Sequence, residues 1–305
     1  MYGTILLATD GSPHTQRAAE YVATLADRFD AEVHVLAVAD IGSAAGAFDA
    51  GGVEAELIER LRERSQEWAD ATAADVAGAE VTVVNGRPRK AILEYADEVG
   101  ADLVAMGTHG RTGIRRFVIG SVTEHVLRRA DAPVLTARAE EEADEEGEEG
   151  EAGATERPFH PAAIDRVLLP TDGSPESAAA VDHAAAVAEA CGASVRVLSV
   201  VDTRAMAAQS ELAPSDTVVR SLEDQSQHAV GTAAEQLEAA GVDVETDVIQ
   251  GAPSETICEE AESGADLVVM GTRGRSGLDR VLLGSVTERT VRHAPVPVMT
   301  VRAED

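Results

Sequence analysis

Leu103-Val-Ala-Met-Gly-Thr-His-Gly110, nine residues and then Gly120-Ser-Val-Thr123 return later in the chain as Leu267-Val-Val-Met-Gly-Thr-Arg-Gly274, nine residues and Gly284-Ser-Val-Thr287. Each copy leads from an apolar run into a loop of glycines and hydroxyl residues. Short glycine patterns arise often, but two copies with identical spacing in one chain are hard to assign to turn geometry alone. The sequence therefore predicts a duplicated fold with a phosphate-binding loop in each half.

Each half of the chain alternates short β-rich runs with longer helical stretches. This alternation is typical of βαβ units, and strands that are Val, Ile and Leu at nearly every position indicate a parallel sheet covered on both faces. Helices fill the intervals, and Ser12 and Ser174 are predicted N-caps, each followed by a proline at the first helical position. The fold class is therefore α/β, in two tandem domains. The predicted strands are Thr4–Thr9, Glu32–Ala39, Glu80–Val84, Leu103–Gly107 and Val134–Ala137, and then Arg166–Thr171, Ser194–Val201, Asp243–Ile249, Leu267–Gly271 and Val298–Val301.

An acidic stretch separates the two halves. Residues Glu140–Glu156 contain ten acidic side chains, mostly among Ala and Gly. Their charges repel one another, and they bury too little apolar area to offset the entropy lost on ordering. The predicted organisation is a first domain over residues 1–138, an acidic disordered linker over residues 139–163 and a second domain over residues 164–303.

The net charge argues against two classes of partner. The 305 residues carry 55 acidic side chains against 25 Lys and Arg, a formal net charge of −30, and Lys90 is the single lysine. Such a surface repels phosphate backbones and anionic lipid, because binding them requires clustered Lys and Arg. We therefore expect neither nucleic acid nor a membrane as a partner.

The composition also bears on the cellular environment. A lysine-poor, carboxylate-rich surface suits a halophile, since at molar salt charge screening acts over roughly 3 Å; the alternative is an ordinary acidic protein.

Cys191 and Cys258 have no CxxC or His-rich spacing and are expected to be small core residues. No apolar run reaches the roughly 18 residues of a membrane span, and we expect a cytoplasmic protein.

The repeated loops have the features of an anion site. Ligands of open α/β sheets collect at the carboxyl ends of the strands, where both loops begin. Small residues such as Gly107 and Gly110 let backbone N–H groups approach an anion closely. Gly120 and Ser121 then open a helix whose unpaired N–H groups favour phosphate, with the hydroxyls of Ser121 and Thr123 as further donors. The alternative is that the glycines only make a tight connection and Ser121 only caps the helix.

Asp10 and Asp172 follow the first strand of their halves, each within Thr-Asp-Gly-Ser. A carboxylate at this place can accept hydrogen bonds from a nucleoside, or it can close an Asx-type turn before the first helix.

The sequence contains no P-loop GxxxxGK[ST], no GxGxxG after the first strand, no GxSxG and no HExxH. It therefore indicates binding, without an evident pair of nucleophile and base.

With these motifs, both halves resemble the universal stress protein family, in the ATP-binding subclass that G-2x-G-9x-G-[ST] defines. The likeness covers nearly all of residues 1–138 and 164–302, including Ala-Asp-Leu-Val-x-Met-Gly-Thr at strand four and Ala-Pro-Val at the start of strand five. The resemblance implies two Rossmann-like domains of the adenine nucleotide alpha hydrolase type, each a five-stranded parallel sheet of order 3-2-1-4-5 flanked by helices. It also implies ATP, or AMP or ADP, at the strand ends, Mg²⁺ or Mn²⁺ bridging the phosphates, and dimerisation through antiparallel fifth strands.

The resemblance further implies a set of binding residues in each half. In the first half they are Ala8, Thr9, Asp10 and Val38 around the adenosine, Met106 and Gly107 near the sugar, and Gly110, Arg111, Gly120, Ser121, Val122 and Thr123 at the phosphates. In the second half the same roles fall to Pro170, Thr171, Asp172 and Val200, then Met270, Gly271, Gly274, Arg275, Gly284, Ser285, Val286 and Thr287.

The third residue of the Gly-Thr-x-Gly loop differs between the copies: it is His109 in the first and Arg273 in the second. If both side chains face phosphate, the second site carries a permanent charge, whereas the first gains a charge only as pH falls through the histidine range. The alternative is that both are solvated loop side chains.

We expect a cytoplasmic ATP-binding regulatory or stress-response protein with at most slow hydrolysis. Its halves are expected to dock as a pseudo-dimer, and its protein partner is unknown. The stress role comes from the resemblance alone. Two alternatives stay open, an ATP-dependent enzyme for phosphotransfer or adenylation and a nucleotide-independent scaffold. Also open are a homo-oligomer, pairing of the fifth strands within or between chains, and the adenine nucleotide that is bound, a cyclic form included.

Overall fold

Ten strands of this protein form a single sheet. The computed structural model describes residues 1–41, 55–110, 119–139, 159–202, 216–274 and 283–303. In the first half the strands are β1 Thr4–Thr9, β2 Glu32–Ala39, β3 Glu80–Asn85, β4 Leu103–Gly107 and β5 Val134–Ala137. In the second half they are β6 Arg166–Pro170, β7 Ser194–Val201, β8 Val244–Gln250, β9 Leu267–Gly271 and β10 Val298–Val301. The strands predicted from the sequence are confirmed, except that β8 lies one residue further along the chain and the ends of β3 and β6 differ by one residue.

Eight helices cover the sheet within the described residues. They are α1 Pro13–Phe29, α2 Ala55–Ala74, α3 Pro88–Val99, α4 Ser121–Arg129, α5 Pro175–Cys191, α6 Asp216–Ala239, α7 Pro253–Glu262 and α8 Ser285–His293. The predicted N-caps are confirmed: Ser12 accepts from the N–H of Thr15 (3.4 Å) and Ser174 from that of Ser177 (3.3 Å). These caps fix where α1 and α5 begin, directly after the first strand of each half.

The sheet order confirms the predicted topology. Within each half the strands are parallel and lie in the order 3-2-1-4-5, and the full order is β3-β2-β1-β4-β5-β10-β9-β6-β7-β8. The fifth strands, β5 and β10, pair antiparallel with Leu135 opposite Met299. The two halves are therefore joined within the chain, as a pseudo-dimer.

Hydrogen bonds cross this junction in related pairs. Arg302 Nη2 donates to the carbonyl of Arg128 (2.6 Å), and Arg138 Nη1 donates to the carbonyl of Arg292 (3.2 Å). Each arginine thus follows the fifth strand of one half and reaches the last turn of the final helix of the other half. Because carbonyls at a helix C-terminus lack intrahelical partners, a guanidinium there stabilises the helix end.

The apolar core lies on both faces of the sheet and continues from one half to the other. One cluster contains the fully buried Leu7, Leu135, Leu169 and Met299, and a second cluster on the opposite face contains Leu6 and Val298. Cys191 and Cys258 are half-buried, unbonded thiols that pack against these clusters. Burial raises the pKa of the Cys258 thiol to about 11, which agrees with its expected role as a core residue.

The end of the predicted linker packs on the first helix. The N–H of Ala162 donates to Glu20 O (3.0 Å), and Ala162 O accepts from the hydroxyl of Thr24 (2.7 Å). Residues 140–158 lie outside the described residues, so disorder of the linker stays a prediction. None of the helices in the described parts of the chain is long and apolar enough to span a lipid bilayer.

Candidate functional site

A cavity of about 840 Å³ opens at the carboxyl ends of β1, β2 and β4, beside the start of α4. This is where ligands of open α/β sheets bind. The described first-half residues that the sequence predicted all line it: Ala8, Thr9, Asp10, Val38, Met106, Gly107, His109, Gly110, Gly120, Ser121, Val122 and Thr123. Arg111 lies outside the described residues.

The carboxylate of Asp10 closes the turn before α1. Its Oδ1 accepts a hydrogen bond from the N–H of Ser12 (3.1 Å). Its Oδ2 faces the loop, since a Cβ on Gly110 would lie 2.9 Å from it. In the second half Asp172 Oδ1 likewise accepts from Ser174 N (3.0 Å). The Asx-type turn is therefore present in both halves, and in the first half the same carboxylate also lines the cavity.

The glycines of the repeated motif are required by different contacts. A Cβ on Gly107 would lie 2.7 Å from His14 Cβ and 3.2 Å from the backbone of α1, and a Cβ on Gly271 would lie 2.8 Å from the backbone of Glu176. This first glycine is thus required for β4 or β9 to pack on the first turn of the helix. A Cβ on Gly120 would lie 3.3 Å from Thr108 O, so it mainly keeps the loop close to α4.

The amino end of α4 faces the cavity. Gly120 is its N-cap, and no side chain in the described part of the protein caps it, so N–H groups of the first turn are left for another acceptor. Ser121 is exposed at this end. The Thr123 hydroxyl is buried and donates its proton to Gly107 O (2.8 Å). Ser121 and Thr123 were both predicted as phosphate donors. The hydroxyl of Thr123 instead links the start of α4 to the end of β4.

Sequence reasoning missed one wall of the cavity. Arg64 and Trp68 lie four residues apart on α2, hence on one face of that helix, and both line the cavity. Trp68 packs so closely on the turn after β1 that a Cβ on Gly11 would lie 2.4 Å from its indole. The other lining residues that were not predicted are Thr15, Leu36, Asp40, Pro88, Ile92 and Ile119. The one available signal was that Trp68 is the single tryptophan of the chain.

The two halves differ beside the loop. In the first half, His109 lies next to His14, with 5.4 Å between ring centroids. In the second half the corresponding side chains are Arg273 and Glu176, which form an ion pair of 3.3 Å and are 13% and 17% exposed. The first pair is uncharged when both imidazoles are neutral, and the second pair combines two fixed charges.

Burial is the main reason why the pKa of His14 lies below its usual value. His109 lowers it further, Asp10 opposes the change, and Arg138 adds to it. The N–H of Ala139 donates to His14 Nδ1 (2.8 Å), a bond that requires this nitrogen to be unprotonated. The fold therefore favours a neutral His14.

The second half places its predicted residues at the corresponding strand ends. A Cβ on Gly274 would lie 2.6 Å from Asp172 Oδ2, and Thr287 donates to Gly271 O (2.9 Å) as Thr123 does to Gly107. Arg275 lies outside the described residues. The remaining predicted residues lie in the last positions of β6, β7 or β9, shortly after β6 or β9, or at the start of α8: Pro170, Thr171, Val200, Met270, Arg273, Gly284, Ser285 and Val286.

Comparisons with known proteins bear on the family and the fold of the chain. The model of the universal stress protein family matches residues 1–138 and 163–302. A universal stress protein of Methanocaldococcus jannaschii is 36% identical over 138 residues, which is 45% of this chain and 81% of that protein. One from Mycolicibacterium smegmatis is 28% identical and spans 99% of this chain and 97% of its own. The crystal structure of one from Archaeoglobus fulgidus superposes with a TM-score of 0.65 at 22% identity, covering 99% of this chain and 97% of that one.

Proposed function

The chain belongs to the universal stress protein family, and we propose that each of its halves binds an adenine nucleotide, ATP foremost, at the carboxyl ends of its strands. The observation that carries the proposal is the cavity of about 840 Å³ in the first half, which joins an apolar wall to a helix N-terminus that no described side chain caps. Its size falls in the range of roughly 300–1,000 Å³ of small-molecule sites.

The apolar wall suits the adenine ring. Val38, Ile92 and Met106 line it, and they come from a strand end, a helix and a second strand end, so they surround a flat ligand from several directions. The carboxylate of Asp10 lies beside this wall and accepts hydrogen bonds, which suits the hydroxyl or amino groups of a nucleoside. An apolar pocket with a few polar groups is the usual composition of such a site.

The loop and the start of α4 suit the phosphates. Gly110, Gly120 and Ser121 line this end of the cavity, where first-turn N–H groups and the helix dipole favour an anion. The protein carries a net charge of −30, so a bound triphosphate meets overall repulsion. We propose that Mg²⁺ or Mn²⁺ bridging the phosphates lowers that charge; the Ser121 hydroxyl and the carboxylates of Asp10 and Asp40 are oxygen ligands of the kind these ions prefer.

We propose a regulatory binding module with at most slow hydrolysis. Fast phosphoryl transfer needs a residue that positions or activates the attacking water. We assign the carboxylate of Asp10 to the nucleoside or the metal ion, and His109 lies against His14, so we give neither side chain the role of a dedicated base. The halves act as a pseudo-dimer through β5 and β10. The protein partner that would recognise the nucleotide-bound form is unknown.

Equilibrium dialysis of labelled ATP with Mg²⁺ tests the proposal, with AMP and cyclic AMP as parallel ligands. We expect two ATP molecules per chain. Trp68 is the single tryptophan and lines the first cavity, so its fluorescence reports that site alone. Since the composition favours a halophile, the titration is run at about 0.15 M and about 2 M KCl.

Two matched variants separate binding from folding. Ser121→Asp places a carboxylate at the start of α4, where it favours the helix but repels phosphate; Ser285→Asp does the same at α8. We expect each variant to unfold like the wild type and to bind one ATP. The Trp68 response should vanish in Ser121→Asp and persist in Ser285→Asp. Absence of ATP binding at both salt concentrations contradicts the proposal.

A further inference from the structure

A group of three metal-ligating side chains lies at the opposite end of the strands from the cavity. Glu32 and His34 are two residues apart on β2 and so project to the same face, and Glu80, the first residue of β3, pairs with His34. One coordinating atom from each side chain lies within 4.8 Å of the other two. Backbone pairing therefore holds together an imidazole and two carboxylates.

The imidazole of His34 is held in one orientation. The side chain is 10% exposed, and its Nδ1 lies 3.2 Å from the Tyr95 hydroxyl, which in turn lies 2.9 Å from the hydroxyl of Thr82. With the proton on Nδ1 donated to Tyr95, the lone pair of Nε2 is free to bind a cation. A hydrogen bond from the second ring nitrogen is the usual support of a metal-binding histidine.

The distance between the His34 imidazole and the Glu32 carboxylate suits a cation bound between them better than a direct hydrogen bond. His34 Nε2 lies 3.6 Å from Glu32 Oε1, beyond the roughly 3.2 Å limit of an N–H···O bond. Two ligands that are each about 2.0–2.1 Å from a tetrahedral ion lie roughly 3.4 Å apart. Glu80 Oε2 lies 3.9 Å from Nδ1, and its side chain is 64% exposed, so rotation of its bonds can bring it to the Nε2 side.

In the second half an arginine occupies the position that corresponds to His34. Arg196 occupies the third position of β7, as His34 does on β2. Its Nε lies 2.8 Å from Asp247 Oδ2 and its Nη1 2.6 Å from Glu260 Oε2. The second half thus sets a permanent cation between two carboxylates, whereas the first half has two carboxylates and a neutral or singly charged imidazole.

We propose that Glu32, His34 and Glu80 bind a divalent transition metal, Zn²⁺ in the first instance, with water completing the coordination. One imidazole and two carboxylates are ligands that Zn²⁺ accepts. The ion links β2 to β3, and β3 is at the edge of the sheet. Because it binds the folded chain, it stabilises that edge by mass action. The site is separate from both nucleotide sites and does not depend on them.

Equilibrium dialysis of ZnCl₂ against the full-length, nucleotide-free and metal-stripped protein tests the proposal. Millimolar Mg²⁺ and about 1 M KCl are present to compete at scattered surface carboxylates. We expect wild type to retain one Zn²⁺ equivalent more than Glu32→Gln/Glu80→Gln, and Zn²⁺ to raise the unfolding temperature of the wild type alone.

Two further variants complete the test. His34→Arg copies the second half, keeps a cation between the carboxylates, and should fold while losing the same Zn²⁺ equivalent. Glu245→Gln removes the carboxylate that pairs with Arg196 as Glu80 pairs with His34, and should bind Zn²⁺ as the wild type does. Equal Zn²⁺ stoichiometry and affinity in all four proteins overturns the proposal and shows scattered binding to acidic side chains.

Discussion

The imidazoles of His14 and His109 lie with their ring centroids 5.4 Å apart beside the first cavity. The corresponding positions of the second half hold the ion pair of Glu176 and Arg273. The same two positions thus hold a pair of imidazoles in one half and a pair of fixed opposite charges in the other. Exchanging the two pairs of residues provides an internal control for the role of this charge.

The first prediction concerns the pH dependence of stability. The fold lowers the pKa of His14 below 6.5, mainly through burial, so the unfolded chain binds the proton more tightly. The corresponding stability is present above about pH 6.5 and is lost as pH falls toward the folded pKa. We expect His14→Glu/His109→Arg, which copies the second half, to lose less stability than the wild type between pH 7.5 and 5.5 in urea unfolding.

We compare the pH profile of the variant with that of the wild type because other histidines also contribute to the pH dependence of stability. Burial, followed by neighbouring arginines, also lowers the pKa of His125 and His293, and both are unchanged in the variant. If the two proteins show parallel pH profiles, the His14 contribution is absent.

The second prediction concerns the pH dependence of ATP affinity at the first site, read from Trp68 fluorescence. Protonation of the His14 and His109 pair adds positive charge beside the phosphates, so ATP should bind about three- to tenfold more tightly at pH 5.5 than at pH 8. The exchanged variant should show a flat profile. The second site, measured by equilibrium dialysis of labelled ATP in Ser121→Asp because Trp68 does not report it, should also show a flat profile. A flat profile in the wild type removes the charge role of the histidines.

The third prediction separates the packing glycine from the rest of the motif. Gly107→Ala places a Cβ 2.7 Å from His14 Cβ and 3.2 Å from backbone atoms, which should destabilise the fold by about 1–3 kcal/mol. Gly231→Ala, within α6, meets no atom within 4 Å and should stabilise by about 0.5–1 kcal/mol through helix propensity. Urea unfolding at neutral pH measures both, and equal stability of the two variants contradicts the packing role.

The fourth prediction concerns the junction between the halves. Arg302→Ala removes the 2.6 Å bond to the carbonyl of Arg128 at the end of α4 and should cost about 1 kcal/mol in the free energy of unfolding. Arg138→Ala removes the related 3.2 Å bond to Arg292 and should cost no more. Unchanged unfolding midpoints in both variants and in their combination would show that the arginines do not hold the junction.

The elements could be predicted because their signals are local. Apolar runs gave the strands, and Ser12 with Pro13 gave the start of α1. The internal pairing of β5 with β10 could not be read from the sequence, since the same strand edges can meet within or between chains. Arg64 and Trp68 were missed because only tertiary packing brings the face of α2 over the turn after β1.

The motif glycines show a further limit of sequence reasoning. The spacing of Gly107, Gly110 and Gly120 predicts a loop near an anion, and it does lie at the cavity. It does not reveal that Gly107 is required by contact with α1. The Thr123 hydroxyl was likewise assigned to phosphate, yet Gly107 O takes its proton. One repeated sequence pattern thus contains a residue that packing requires, Gly107, beside residues for which we propose a binding role.

The fifth prediction concerns salt. A net charge of −30 produces self-repulsion in the compact state, and KCl screens it. We expect the free energy of unfolding to rise between about 0.1 and 2 M KCl and refolding to be more complete at the higher concentration. Stability that is flat or falls over this range contradicts the halophile interpretation and favours an ordinary acidic protein.

A crystal structure of the protein grown with saturating ATP and Mg²⁺ tests nucleotide binding at the strand ends without an indirect readout. We expect adenine against Val38, Ile92 and Met106, and phosphates at the N–H groups that open α4 beside Gly120 and Ser121, with the related arrangement at α8. A first cavity that holds only solvent under these conditions, or ATP bound elsewhere on the protein, contradicts this expectation.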